Sequence, residues 1–136
     1  MSPEFEAVFL RLRSILEKHA GEFSVNENSS SEYSLEGDVG PATLRAWGGK
    51  RSTPRIRVAW VTVGKTYVSF HLMPVYMNPK LAAEMSKALK ARMQGKSCFN
   101  FKTVDEALFE ELETLASQGL TAFKRAGFVA RPAATR

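Results

Sequence analysis

The segment from Arg55 to Met73 constrains the fold of this chain more than any other. Two runs rich in β-branched and aromatic residues flank Gly64-Lys65, a pattern that predicts a β-hairpin with a two-residue turn. Such a turn puts Trp60 opposite Ser69, with His71 on the same strand face. Both faces of the hairpin are then largely apolar. We therefore expect either an interior hairpin covered on both sides or one with a face that lines a pocket or an interface. The other face carries Arg57, Ala59, Val61, Val63, Val68, Phe70 and Leu72.

Three helices and further strands are predicted around this hairpin. The helices begin at Pro3, at Pro79 and within the capping box Thr103–Glu106, and they end near Gly21, Gly95 and Gly127. Shorter alternating segments predict strands at Tyr33–Glu36, Thr43–Trp47 and Ser97–Lys102, whereas Asn26–Ser34 is a polar loop. The expected fold is therefore α+β, an antiparallel sheet of about four to five strands packed against three helices. We expect one compact domain over residues 1–130 and a flexible C-terminal tail over residues 131–136.

Composition excludes several classes of function. The chain has one cysteine, Cys98, and two histidines, His19 and His71, so neither an intrachain disulfide nor a Cys/His zinc cluster is expected. The acidic N-terminus lacks a signal-peptide pattern, and no apolar run approaches the ~20 residues of a membrane span. We expect a cytoplasmic protein without cofactor, metal site or membrane contact.

Charge is segregated along the chain. Residues 45–102 hold twelve basic residues and a single acid, Glu84, and no carboxylate occurs between Val39 and Ala83. Residues 1–44 hold eight acids and three bases. This distribution predicts either an anionic partner or pairing of the acidic helices with the basic middle of the chain.

Three motifs are candidates for chemistry. Cys98, close in sequence to Lys96 and Lys102, is either a reactive thiol or a small buried side chain. His71 is either a general base or a core histidine. A Cys98–His71 nucleophile pair is conceivable if their strands are adjacent. The carboxylates of the third helix either bind a hard cation or compensate the helix dipole. They are Asp105, Glu106, Glu110, Glu111 and Glu113.

The basic middle of the chain also interleaves cations with aromatic residues, which is the composition of a single-stranded nucleic-acid site if the rings are exposed. The residues concerned are Arg45, Trp47, Lys50, Arg51, Arg55, Arg57, Trp60 and Tyr67.

Two stretches, Tyr67–Pro74 and Gln94–Lys102, resemble the YdhG-like group of uncharacterised bacterial domains. The shared feature is a strand pair, a helix and then a Gly-Lys-Ser segment leading into a strand with alternating aromatics, over about residues 30–125. The resemblance implies a compact cytosolic α+β domain and makes Lys96 and Ser97, which recur in similar domains, candidate site residues. A frataxin-like branch of the group is suggested to handle iron at an acidic ridge, whereas the predicted sheet here is strongly basic.

The leading hypothesis is a non-enzymatic binding module for a small anionic or aromatic ligand, or for an acidic partner, in a monomer or homodimer. The alternatives are an enzyme that uses Cys98 or His71, or a protein that handles nucleic acid or iron. The predicted ligand-binding residues are Arg57, Trp60, Tyr67, Ser69, His71, Tyr76, Lys96, Ser97 and Cys98.

Overall fold

The computed structural model describes residues 1–130, which form six helices and one six-stranded antiparallel sheet. The tail predicted at residues 131–136 lies outside the described residues. Within the sheet the strand order is β1-β2-β3-β4-β6-β5. The elements are α1 (Pro3–Glu17), β1 (Ser24–Asn28), β2 (Glu32–Asp38), α2 (Pro41–Ala46), β3 (Arg55–Val63), β4 (Val68–Leu72), α3 (Met73–Met77), α4 (Pro79–Glu84), α5 (Lys87–Lys90), β5 (Met93–Gln94), β6 (Cys98–Phe101) and α6 (Glu106–Arg125).

The α+β class is confirmed, but the sheet has more strands and the chain more helices than predicted. Thr43–Trp47 is not a strand, because Pro41 opens the short helix α2 there. The segment Asn26–Ser34, predicted as a polar loop, holds the end of β1 and the start of β2, which pair at the edge of the sheet. Polar side chains suit such an edge strand, and they carry no apolar alternation that would reveal it.

The predicted second helix is interrupted after Glu84. Met85 is extended, and Ser86 begins the separate helix α5 by accepting a hydrogen bond from the Leu89 backbone N–H at 3.1 Å. Ser86 also donates from its backbone N–H and its hydroxyl to the carboxylate of Glu111 on α6, at 2.8 and 2.6 Å. The hydrogen bonds between Ser86 and Glu111 of α6 therefore stabilise the break between α4 and α5.

The long helices α1 and α6 cover one face of the sheet and enclose the core. Apolar residues of α1 pack on β3 and β4, and α6 meets the sheet through Phe109, whose ring lies 4.9 Å from that of Phe101 at 85°. Arg11 of α1 forms ion pairs with Glu106 and Glu113 of α6. The two helices thus form one layer on the buried face of the sheet, and neither helix covers the opposite face.

The hairpin β3–β4 is confirmed, but its predicted register is wrong by two residues. Gly64 donates its backbone N–H to the Tyr67 carbonyl at 2.8 Å, so the loop spans four residues and Val63 pairs with Val68. Trp60 consequently pairs with His71 and not with Ser69. Because side chains alternate with a period of two, a shift of two residues leaves Trp60, Ser69 and His71 on their predicted face.

Candidate functional site

One face of the sheet is buried and the other is open to solvent. Val61, Phe70 and Phe99 point into the core and are fully buried. The side chains that alternate with them are each partly exposed, and we call this surface the open face. Its central residues are Trp60, Thr62, Ser69, His71, Cys98 and Asn100.

A stack of three side chains crosses the open face. The rings of Trp60 and His71 are stacked with centroids 4.5 Å apart and 11° between their planes. Arg57, which lies on the same strand as Trp60, is the third member of the stack, with its guanidinium carbon 4.7 Å from the Trp60 ring centroid. Arg57 also forms an ion pair with Glu32 of β2. A cation over an indole is attracted by the ring quadrupole, so the stack fixes the guanidinium on this surface.

Arg57 reaches this surface because β3 contains a β-bulge. Leu35 pairs with Ala59 and the next residue, Glu36, pairs with Arg57, which leaves Val58 without a partner on β2. An extra residue in one strand reverses the side-chain alternation beyond it. The prediction that Arg57 lies on the same face as Ala59 is therefore wrong, and its guanidinium joins the face of Trp60.

His71 and Cys98 lie side by side on neighbouring strands. They are paired between β4 and β6, and Cys98 Sγ is 3.8 Å from His71 Nε2. Burial lowers the pKa of His71, and the charge of Arg57 lowers it further, while Glu32 opposes both. Burial raises the pKa of the Cys98 thiol, which a hydrogen bond with Ser69 partly offsets. Both shifts favour a neutral imidazole beside a neutral thiol and oppose a thiolate–imidazolium pair.

Asn100 connects the remaining polar side chains of this surface. Its Oδ1 accepts hydrogen bonds from Ser69 Oγ at 2.7 Å and from the Cys98 thiol at 3.4 Å, and its Nδ2 donates to Gln94 Oε1 at 2.7 Å. The predicted site omitted Asn100, although strand alternation with Cys98 was the signal that would have included it. Glu32 was omitted as well, because its segment read as a loop.

The other predicted site residues lie at the two ends of β4 and β6. At one end Lys102 Nζ is 5.3 Å from the ring centroid of Tyr67, and at the other Lys96 Nζ is 5.8 Å from that of Tyr76. Ser97 contributes its backbone carbonyl, which accepts from the Leu72 N–H at 2.8 Å. The stack therefore contains Arg57, Trp60 and His71, with Ser69 and Cys98 beside it and the two tyrosine–lysine pairs at the strand ends.

Most carboxylates of α6 have structural partners. Glu106 and Glu113 pair with Arg11, Glu113 also pairs with Lys18, and Glu111 binds Ser86. Asp105 caps α6 by accepting a hydrogen bond from the Leu108 N–H at 3.2 Å. The predicted capping box, which would place the cap at Thr103, is therefore wrong. Among residues 1–130, no group of three or more His, Cys, Asp or Glu side chains is arranged to hold a metal ion. These contacts leave α6 poorly suited to an iron-binding ridge.

The basic middle of the chain is not paired with the acidic helices. Arg55 pairs with Glu36 and Asp38, and Arg57 with Glu32, all on β2. Within the described part of the chain, the other ten basic residues of segment 45–102 form no ion pair. Internal neutralisation is therefore limited to two arginines, and the segment keeps a large positive excess at the surface.

Two clefts lie outside the open face, and the smaller of them is lined in part by Arg57 of the stack. One of about 620 Å³ is lined by Glu22, Lys124 and Arg125 near the end of α6. A smaller apolar one of about 140 Å³ is lined by Trp47, Met77, Phe128 and others at the start of β3. Neither includes Trp60 or His71, so the open face offers a surface rather than an enclosed pocket.

Comparison of the chain with protein-family models, with curated proteins and with solved structures found no match. The resemblance to the YdhG-like group therefore stays a prediction from the residues quoted above. Over residues 1–130, no helix has the length and apolar character needed to cross a membrane.

Proposed function

We propose that this protein is a non-enzymatic binding module whose open face binds an anionic group, carried by a small ligand or by an acidic partner. The observation that carries the proposal is the stack of Arg57, Trp60 and His71 on a partly exposed sheet face. Trp and Arg are the residue types that dominate binding energy when they are ordered at a surface. Here both are ordered by neighbours of the same face before any ligand arrives.

The charge of this surface favours an anion. Arg57 donates to Glu32 through one terminal nitrogen, and a guanidinium has five N–H donors in a planar fork that matches a carboxylate or phosphate. Glu32 neutralises part of its charge, so a ligand would compete with or complement that ion pair. Lys96 and Lys102 add positive charge at the strand ends, where the described residues supply no ion-pair partner.

Catalysis by Cys98 and His71 is the second candidate, favoured by the 3.8 Å separation of Sγ and Nε2. A nucleophilic cysteine requires thiolate, usually stabilised by an imidazolium or another nearby cation. The lowered pKa of His71 and the raised pKa of Cys98 both work against that state. We therefore rank the binding module first, and we carry the YdhG-like resemblance and the cytoplasmic setting as parts of the same proposal.

Native mass spectrometry of the protein purified without added ligand tests the proposal. We expect excess mass that disappears on denaturation and that is reduced in Trp60→Ala and His71→Ala, with Lys87→Gln on the helix side as the control variant. Excess mass retained equally by all variants would put the ligand elsewhere. A dimer without excess mass that Trp60→Ala dissociates would indicate that the open face is a subunit interface and would contradict the proposal.

A further inference from the structure

Two aromatic–cation pairs mark the ends of the strand pair β4–β6. Tyr67 precedes β4 and Lys102 follows β6, and these ends meet because Val68 pairs with Phe101. At the opposite end, Tyr76 lies in α3, directly after β4, beside Lys96, which precedes β6. The five residues of β4 separate the pairs by about 17 Å.

The open face fills the space between these two pairs. Ser69, His71, Cys98 and Asn100 lie along it, and Trp60 with Arg57 lies on the adjacent strand. The open face therefore presents the Trp60 and Tyr67 rings, each with a cation within 6 Å, beside a row of hydrogen-bonding side chains. The third ring, Tyr76, lies with Lys96 at the end of this face, in α3, which also packs on α6. Two carboxylates of β2 lie beside Arg57 on this surface: Glu32 pairs with its guanidinium, and Glu36 is its partner across the strands and pairs with Arg55.

The two tyrosine rings are accessible. Tyr67 is 39% and Tyr76 53% exposed, and both lysines are exposed. Each ring therefore offers a surface for stacking next to a lysine that has no ion-pair partner among the described residues. The predicted nucleic-acid site required exposed rings, and Tyr67, which belongs to that pattern, is exposed; Tyr76 adds a second exposed ring from outside it.

This combination fits one class of anion better than others. An acidic protein segment would use the cations but has no planar groups to match exposed rings. A single-stranded nucleic acid uses both, because its phosphates pair with Lys and Arg while its bases stack on aromatic side chains. Antiparallel sheets backed by helices on the other face bind RNA in this manner, stacking about two or three bases.

We propose that the partner of the open face is a single-stranded nucleic acid, with bases stacked on Tyr67 and Tyr76 and phosphates bound by Arg57, Lys96 and Lys102. This inference rests on the proposed function, since it names the anionic partner of the same surface. It requires no metal and no covalent step.

Fluorescence anisotropy with oligouridylate and oligothymidylate of about eight nucleotides tests the inference. Tyr67→Ala and Tyr76→Ala should each weaken binding by about 5- to 150-fold, whereas Tyr67→Phe and Tyr76→Phe should retain most of the affinity because the ring remains. The slope of log K against log salt should be about −2 for three phosphate contacts. Lys96→Gln and Lys102→Gln should each reduce that slope by about 0.7, with Lys87→Gln unchanged.

Several outcomes would overturn the inference. Binding that tolerates both tyrosine-to-alanine changes, or that Lys87→Gln weakens as much as Lys96→Gln, would mean a diffuse electrostatic attraction. Preference for poly-glutamate over the oligonucleotides would exclude nucleic acid while leaving anion binding in place. Failure of both polyanions and of small carboxylates to bind would remove the proposed function itself.

Discussion

The imidazole of His71 lies parallel to the indole of Trp60, with the ring centroids 4.5 Å apart. The two residues are direct neighbours across β3 and β4, and the bulge at Val58 brings the guanidinium carbon of Arg57 within 4.7 Å of the Trp60 ring centroid. Aromatic pairs across strands contribute up to about 1 kcal/mol, which makes the stack a stabilising element as well as a binding surface.

Protonation of His71 should destabilise the protein. Burial and the charge of Arg57 lower its pKa in the folded state, so between that value and the unfolded pKa of about 6.5 the unfolded chain binds more protons. The free energy of unfolding should therefore fall as the pH drops below about 6.5. Urea unfolding between pH 7.5 and 5 should reveal a steeper loss in the wild type than in His71→Gln; parallel profiles would contradict the burial of a neutral imidazole.

Cys98 should react slowly with alkylating agents. Burial raises the pKa of its thiol, so little thiolate is present at neutral pH. Iodoacetamide should modify the folded protein at pH 7.5 more slowly than the urea-unfolded chain, and the rate should rise steeply at higher pH. Ser69→Ala should slow the reaction further, since the hydrogen bond with Ser69 lowers that pKa. Faster reaction in the folded state would favour the enzyme hypothesis instead.

Ser86 should contribute to stability beyond an ordinary surface serine. Its hydroxyl caps α5 and binds Glu111 on α6. We expect Ser86→Ala to lower the free energy of unfolding by about 1–2 kcal/mol. Exposed Ser52→Ala is the control and should stay within about 0.5 kcal/mol of the wild type. Equal stability of the two variants would refute the assigned link between α5 and α6.

Gly40 is required by a close backbone approach. A Cβ atom at this position would lie 2.3 Å from the Gly127 carbonyl oxygen, whereas one at Gly21 would meet no atom within 4 Å. We expect Gly40→Ala to destabilise the protein by about 1–3 kcal/mol. Gly21→Ala should be neutral or slightly stabilising, because it reduces the entropy of the unfolded chain. Thermal unfolding of both variants measures the difference, and a tolerated Gly40→Ala would disprove the contact between α2 and the segment after α6.

The sequence predicted those parts of the fold that local pattern controls. Residues 55–73 alternate clearly enough to assign Trp60, Ser69 and His71 to one face, and an error of two in register could not change that assignment. The condition stated for a Cys98–His71 contact, that their strands are adjacent, is met by β4 and β6. Pro41 was a helix signal that the strand interpretation of Thr43–Trp47 overlooked.

Other features depend on contacts that sequence does not reveal. The bulge at Val58, which moves Arg57 to the open face, has no signature in the composition of β3. The interruption before Ser86 is stabilised by Glu111, twenty-five residues away. The pairing of acidic α6 with α1, and not with the basic middle, is likewise a tertiary outcome. The site was therefore predictable as a set of residue types but not as an arrangement.

NMR mapping of anion binding tests the central claim most directly. Phosphate, benzoate, a glutamate-rich peptide and oligouridylate would be titrated into ¹⁵N-labelled wild type, Arg57→Gln and the matched control Arg125→Gln, which lies at the end of α6. We predict saturable shifts of the Trp60 indole and of the His71 and Asn100 amides, abolished or weakened about tenfold or more in Arg57→Gln and retained in Arg125→Gln. Shifts confined to α1 and α6, or equal in both variants, would contradict the assignment of the open face as the binding surface.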